Sequence, residues 1–192
     1  MKIETLMKAG ISAGIAAGAA ALIVAGAAQG QMMAPFGNDE DIAYAKTLWG
    51  VLESANLIGE DAIAARPYVG VDPHGAVLET LSAKVTVDGH TGAALVKKNY
   101  GPKGVKIEDV AKEPTKHLGA ITVMFKREAG YDPEDKDWFW VKYLPDGSLD
   151  KTPDGMQLAG KVAKGMNLED GCIACHSGAE GDDMVFTPIY WD

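Results

Sequence analysis

The chain has 192 residues, of which 47% are apolar and 23% charged, and it carries a formal net charge of −9. That balance suits one packed domain and excludes an extended disordered chain. Acidity without any long Lys/Arg run excludes nucleic acid as an electrostatic partner.

Lys2 and Lys8 flank the start of an Ala/Gly-rich apolar stretch that runs to Ala28, and Ala25-Gly26-Ala27 offers small residues for a signal peptidase. Residues 1–30 therefore read as a signal peptide. A retained membrane anchor is the alternative, because the stretch reaches the ~20 residues that a span needs. Its Ala and Gly drive insertion only weakly. Either way the body is expected in the periplasm or otherwise exported. Residues 31–37 read as a linker, which leaves 38–192 as the folded domain.

Asn38 or Asp39 can cap a helix. Ile42, Ala45, Leu48 or Trp49, and Leu52 then recur at helical spacing as far as Ser54, a stripe suited to core packing. From Arg66 the pattern changes. β-rich runs cover Ala83–Val87, Ala93–Tyr100, Ile121–Arg127 and Trp138–Tyr143, broken by Asp88-Gly89, Gly101-Pro102 and Pro145-Asp146-Gly147. A short helix is expected over Leu158–Lys164 and another leading into the C-terminal motif. The fold class is thus α+β, a small antiparallel sheet with flanking helices.

The chemistry lies in Cys172-Ile-Ala-Cys175-His176. C-x-x-C-H is the attachment pattern of c-type haem, in which two thioethers hold the macrocycle and the histidine becomes the axial iron ligand. C-x-x-C alone would also suit a thioredoxin-like redox pair or half of a zinc site. The redox pair opens a helix early in a βαβ unit, and zinc needs a second Cys/His cluster that the chain lacks. These are the only two cysteines, so no disulfide can exist beside two thioethers.

The motif lies late, with 16 residues after His176. Met184 is the only methionine among them and is too near in sequence to reach the opposite face of the iron. Met156 and Met166 lie upstream, where flexible core filling is the simpler role. His74, His90 and His117 sit beside Gly, Pro or Lys in expected loops and read as surface residues. Trp138 and Trp140 read as core, and Asp182 and Asp183 as groups that orient the loop after the motif. A mostly β domain with a C-terminal haem motif and an open distal iron face is the expectation.

Gly171–His176 followed by Asp182-Asp183-Met184-Val185-Phe186-Thr187, together with Trp138–Pro145 (WFWVKYLP) and Thr91–Lys98 (TGAALVKK), resembles the cytochrome P-460 family and its relative cytochrome c-prime-beta. The likeness spans about residues 66–190. It implies one covalently attached haem c, held by Cys172, Cys175 and His176 against a small antiparallel sheet. It also implies a lysine joined to the macrocycle, and Lys97 stands at the matching point. Strand alternation lets only one of Lys97 and Lys98 face the haem and does not say which. C-prime-beta proteins lack the cross-link, so that feature stays open.

Hydroxylamine-oxidising members carry a distal carboxylate where this chain has Thr122, a hydrogen-bonder but a poor general base. If the face of Thr122 and Met124 covers the haem, the pocket is mixed; if that of Val123 and Phe125 does, it is apolar. Glu128 at the strand end could supply the missing acid, although an exposed loop carboxylate is its simpler reading. The expected function is oxidation of hydroxylamine or nitric oxide at the open distal site, with a redox partner cytochrome taking the electrons. The alternatives are a nitric oxide binding or scavenging protein without turnover, and an electron carrier. The resemblance is also compatible with a homodimer.

Overall fold

The computed structural model describes residues 36–162 and 171–186. The leader, most of the linker, Met166 and Thr187 lie outside those residues. Among the described residues, no helix is long and apolar enough to cross a membrane.

Helix α1 (Asp39–Ser54) starts where the acids predict. The Asn38 side chain accepts from the Asp41 amide at 2.9 Å, and Asp39, Glu40 and Asp41 occupy the first turn, where the helix dipole favours negative charge. Tyr44, Ala45, Leu48 and Leu52 are its buried face. Ile42 is only half-buried, and Tyr44 takes the place in the stripe that spacing had given it.

Six strands follow, all paired antiparallel in chain order: β1 (Tyr68–Val69), β2 (Val77–Val87), β3 (His90–Tyr100), β4 (Leu118–Lys126), β5 (Trp138–Tyr143) and β6 (Ala159–Gly160). Between β3 and β4 the chain forms two short helices, α2 (Ile107–Lys112) and α3 (Pro114–His117); α4 (Cys172–His176) carries the motif. Asp88 and Gly89 have φ of 48° and 83° and join Val87 to its partner His90. Positive φ at both positions is the two-residue hairpin turn whose twist matches that of its strands.

Register divides the sheet into two faces. Val85, Val96, Val123, Phe125, Phe139 and Tyr143 pack under α1, and the Tyr143 hydroxyl donates to the Ala45 carbonyl at 2.6 Å. Leu95, Met124, Trp138 and Trp140 form the other face and pack with Phe36, Val162, Ile173 and Met184. Leu95 pairs with Met124 and Met124 with Trp140, while Lys97 pairs with Thr122 and Thr122 with Lys142. Two transverse rows result, one apolar and one polar. Gly92 lets β3 approach β4 closely, since a Cβ there would meet the Lys126 carbonyl and the Phe125 ring.

The helix expected over Leu158–Lys164 is not formed in its described part. Ala159 and Gly160 instead pair with Val141 and Trp140 as β6. Gly160 has φ of 99° and lies against the Asp41 carboxylate. A short apolar run has no decisive period. Here the open backbone groups of β5 capture it.

Candidate functional site

On the face opposite α1 the sheet borders a cavity of about 830 Å3, within the ~300–1,000 Å3 range of small-molecule and cofactor sites. Strands β3, β4 and β5 supply Leu95, Lys97, Thr122, Met124 and Trp140, and α4 closes the opposite side with Cys172, Cys175 and His176. Positions i, i+3 and i+4 share one helix face, so one turn presents both thiols and the imidazole together. Neither cysteine forms a disulfide. Burial pushes the Cys172 thiol up to about 11, so it stands as a neutral thiol.

His176 is buried, and its Nδ1 lies 2.8 Å from the Met184 carbonyl. A carbonyl can only accept, so Nδ1 carries the proton and Nε2 keeps its lone pair, the tautomer a metal-ligating histidine needs. Burial foremost lowers the His176 pKa, which keeps the ring neutral despite the opposing effect of the Met184 bond. The residue that supplies this carbonyl holds φ of 58°. The preceding carbonyl, of Asp183, accepts from Trp138 Nε1 at 3.0 Å, and the Asp183 carboxylate meets Lys126 at 3.3 Å. The loop after the motif is therefore fixed at two successive carbonyls, one to the sheet through Trp138 and one to α4 through His176.

The structure resolves the choice between the paired lysines. Lys97 faces the cavity, half-buried, with no hydrogen bond or ion pair among the described residues, and burial lowers its pKa. Lys98 points to the other side, where it meets Glu79 at 3.6 Å. The same register brings Thr122 and Met124 to the cavity and sends the side chains of Val123 and Phe125 into the core under α1. The pocket is the mixed one.

Glu128 does not line this cavity. It borders a separate groove with Tyr44, His90 and Arg127, and Arg127 donates to its carboxylate at 2.8 and 2.9 Å. Arg127 also stacks on Tyr44 and Tyr131, 3.8 and 4.5 Å from the ring centres. The guanidinium so placed holds the Glu128 carboxyl down at about 2. A distal acid in that position is ruled out by the strand ending at Lys126 and turning away.

His74, read as a surface residue, lines the cavity instead. Its ring centre is 6.1 Å from that of His176, and its Nδ1 lies 3.4 Å from Thr122 Oγ1. Thr122 Oγ1 also accepts from Asn99 Nδ2 at 3.2 Å. Burial, with Lys97 adding its charge, depresses the His74 pKa to about 4. Nothing in the sequence around Pro73-His74-Gly75 signals this, because the loop is brought in by pairing rather than by local pattern. His90 contacts the Lys126 carbonyl at 3.1 Å, away from the cavity. Trp140 is a wall of the site as well as core: its ring lies 4.9 Å from His176, and its buried Nε1 has no partner among the described residues. Met156 borders the cavity, whereas Met184 packs among the apolar residues beside it.

The family profile for cytochrome P460 matches residues 76–187. The chain belongs to the cytochrome P460 family. It is a c-type haem cytochrome with one covalently attached haem. No curated protein and no solved structure matches it. The residues present fit that cofactor. Two thiols and a correctly tautomerised imidazole share one helix face. The row Leu95–Met124–Trp140 gives an apolar wall for a flat macrocycle, and the buried Trp140 N–H has no acceptor among the described residues.

Proposed function

We propose that this cytochrome is an exported oxidoreductase that takes hydroxylamine or nitric oxide at the iron face opposite His176. Bound haem supplies coordination and one-electron redox chemistry. Cys172 and Cys175 would tether it, His176 would hold its iron, and Lys97 would be the lysine joined to the macrocycle. The Met184 carbonyl orients the imidazole. Leu95, Met124 and Trp140 exclude water from the haem face, and Thr122 hydrogen-bonds the small nitrogen compound. Hydroxylamine gives up three electrons and three protons in becoming nitric oxide. Nitric oxide with water gives up one electron and two protons in becoming nitrite. A second cytochrome, or a dye in its place, takes the electrons singly.

The observation that carries this reading is the unpartnered, half-buried Lys97 amine on the same cavity as Cys172, Cys175 and His176. Taking a lysine amine partly out of water without a counter-charge costs stability, and a perturbed amine in a cleft marks a functional group. Purified full-length protein is tested with hydroxylamine and a one-electron dye. Dye reduction above that of free haem c peptide is expected, and the absence of such excess refutes the enzyme. A second reading, nitric oxide binding without turnover, is favoured by Thr122 in place of a carboxylate. It predicts a stable nitrosyl spectrum and no dye reduction.

A further inference from the structure

We propose that His74 is the second axial ligand of the haem iron in the resting cytochrome, on the side opposite His176. This rests on haem attachment at Cys172, Cys175 and His176 and not on turnover of any nitrogen compound.

Metal–imidazole bonds of about 2.0–2.1 Å place the centres of two rings that face one metal ion from opposite sides about 6 Å apart. The His74 and His176 ring centres are separated by 6.1 Å, and both rings line the same cavity. Each ring is held through the same nitrogen. His176 Nδ1 bonds to the Met184 carbonyl at 2.8 Å, and His74 Nδ1 meets the Thr122 hydroxyl at 3.4 Å. The carbonyl of Met184 can only accept, and the Thr122 hydroxyl can accept likewise; with Nδ1 donating in this way, His74 offers Nε2 to a metal. Thr122 is itself fixed on the sheet by Asn99 at 3.2 Å.

The loop that carries His74 is closed by its own backbone. The His74 amide donates to Val71 at 2.9 Å, Gly70 to Ala76 at 2.9 Å, and Ala76 to Tyr100 at 2.9 Å. The histidine is thus presented at a defined position against β3. Met184 packs in the apolar cluster and not on the cavity, whereas Met124 and Met156 line the cavity and are the competing thioethers. With His74 on the iron, a small ligand enters only after the His74 bond breaks. The distal face that sequence reading left open is gated by a protein side chain.

The test uses the full-length holoprotein as purified, in the ferric state at neutral pH. Low-spin, six-coordinate absorption and electron paramagnetic resonance spectra are expected for the wild type. His74→Ala should convert them to high-spin, and added imidazole should restore the low-spin form. Met156→Ala should leave the low-spin spectra in place. High-spin iron in the wild type, or low-spin iron that survives His74→Ala, overturns the proposal. Should the variant fail to mature, cyanide binding to the wild type decides. A rate that levels off at high cyanide supports displacement of His74, and a rate linear in cyanide refutes it. Haem staining on a denaturing gel separates the two levels of inference. No stain removes covalent attachment itself, whereas stained protein with high-spin iron removes only the His74 ligand.

Discussion

Thr122→Val isolates the polar link between the sheet and the cavity. Valine matches the shape of threonine and exchanges the hydroxyl for a methyl. The change removes the acceptor for Asn99 Nδ2 at 3.2 Å and the group that meets His74 Nδ1 at 3.4 Å. Asn99 is 4% exposed, so water cannot easily replace the lost partner. An abandoned buried polar group costs about 1–3 kcal/mol. Both bonds are long, and Asn99 also has the His74 ring within reach, which favours the lower end, about 1–2 kcal/mol. In a domain of this size that lowers Tm by about 2–8 °C. Denaturant unfolding followed by tryptophan fluorescence should show a lower midpoint with unchanged slope. The double variant Thr122→Val/Asn99→Leu should recover most of the loss, because removing both polar partners is far less costly than removing one. A single variant within about 0.5 kcal/mol of wild type would refute the argument.

The paired lysines should separate optically and thermodynamically. Lys97→Met should return the ferrous Soret band to an ordinary c-type position with little change in stability. Lys98→Met should leave the spectrum alone but take the cation from Glu79, a carboxylate only 7% exposed that keeps the Tyr100 hydroxyl, at a cost of about 1–3 kcal/mol by chemical denaturation. The depressed His74 pKa fixes the sign of an acid effect. Between 6.5 and about 4 the unfolded chain binds a proton that the folded ring refuses. Stability is full above pH 6.5 and falls as the pH drops through that window. Urea midpoints at neutral and mildly acid pH should show the decline, and His74→Leu should flatten it. Gly92→Ala should lower the thermal midpoint by the equivalent of about 1–3 kcal/mol of overpacking, because the new Cβ would press on the Lys126 carbonyl.

Sequence reading reached the parts of this molecule whose causes are local. Asn38 and its acids fix the start of α1, Asp88-Gly89 fixes a hairpin, and Trp138–Tyr143 is a strand where its β-rich run predicts one. The haem motif is legible for the same reason, since three ligating groups occupy one helical turn. What sequence could not supply is set by pairing at a distance. Alternation showed that only one lysine could face the cavity, but the choice of Lys97 depends on which face α1 covers. His74 reaches the site because Gly70 and Ala76 close its loop against β3. Residues 158–160 looked helical because an apolar run carries no record of the free strand edge beside it. Glu128 lies near the site in sequence but turns to Arg127, whose stacking between two tyrosines no spacing rule reveals.

The turn at Asp88-Gly89 has a consequence for how this chain can vary. Pairing from Val87↔His90 through Thr80↔Lys97 is continuous, so any side chain in β3 keeps its face only while the number of residues before it is kept. Losing one residue from the hairpin would exchange Lys97 for Lys98 at the cavity and turn Val96 out of the core. Substitutions along β3 are graded in effect, but a change of length by one is not. In related chains, insertions and deletions should therefore gather in 101–117 and 144–158, where loops can absorb them, and should be absent from 84–98.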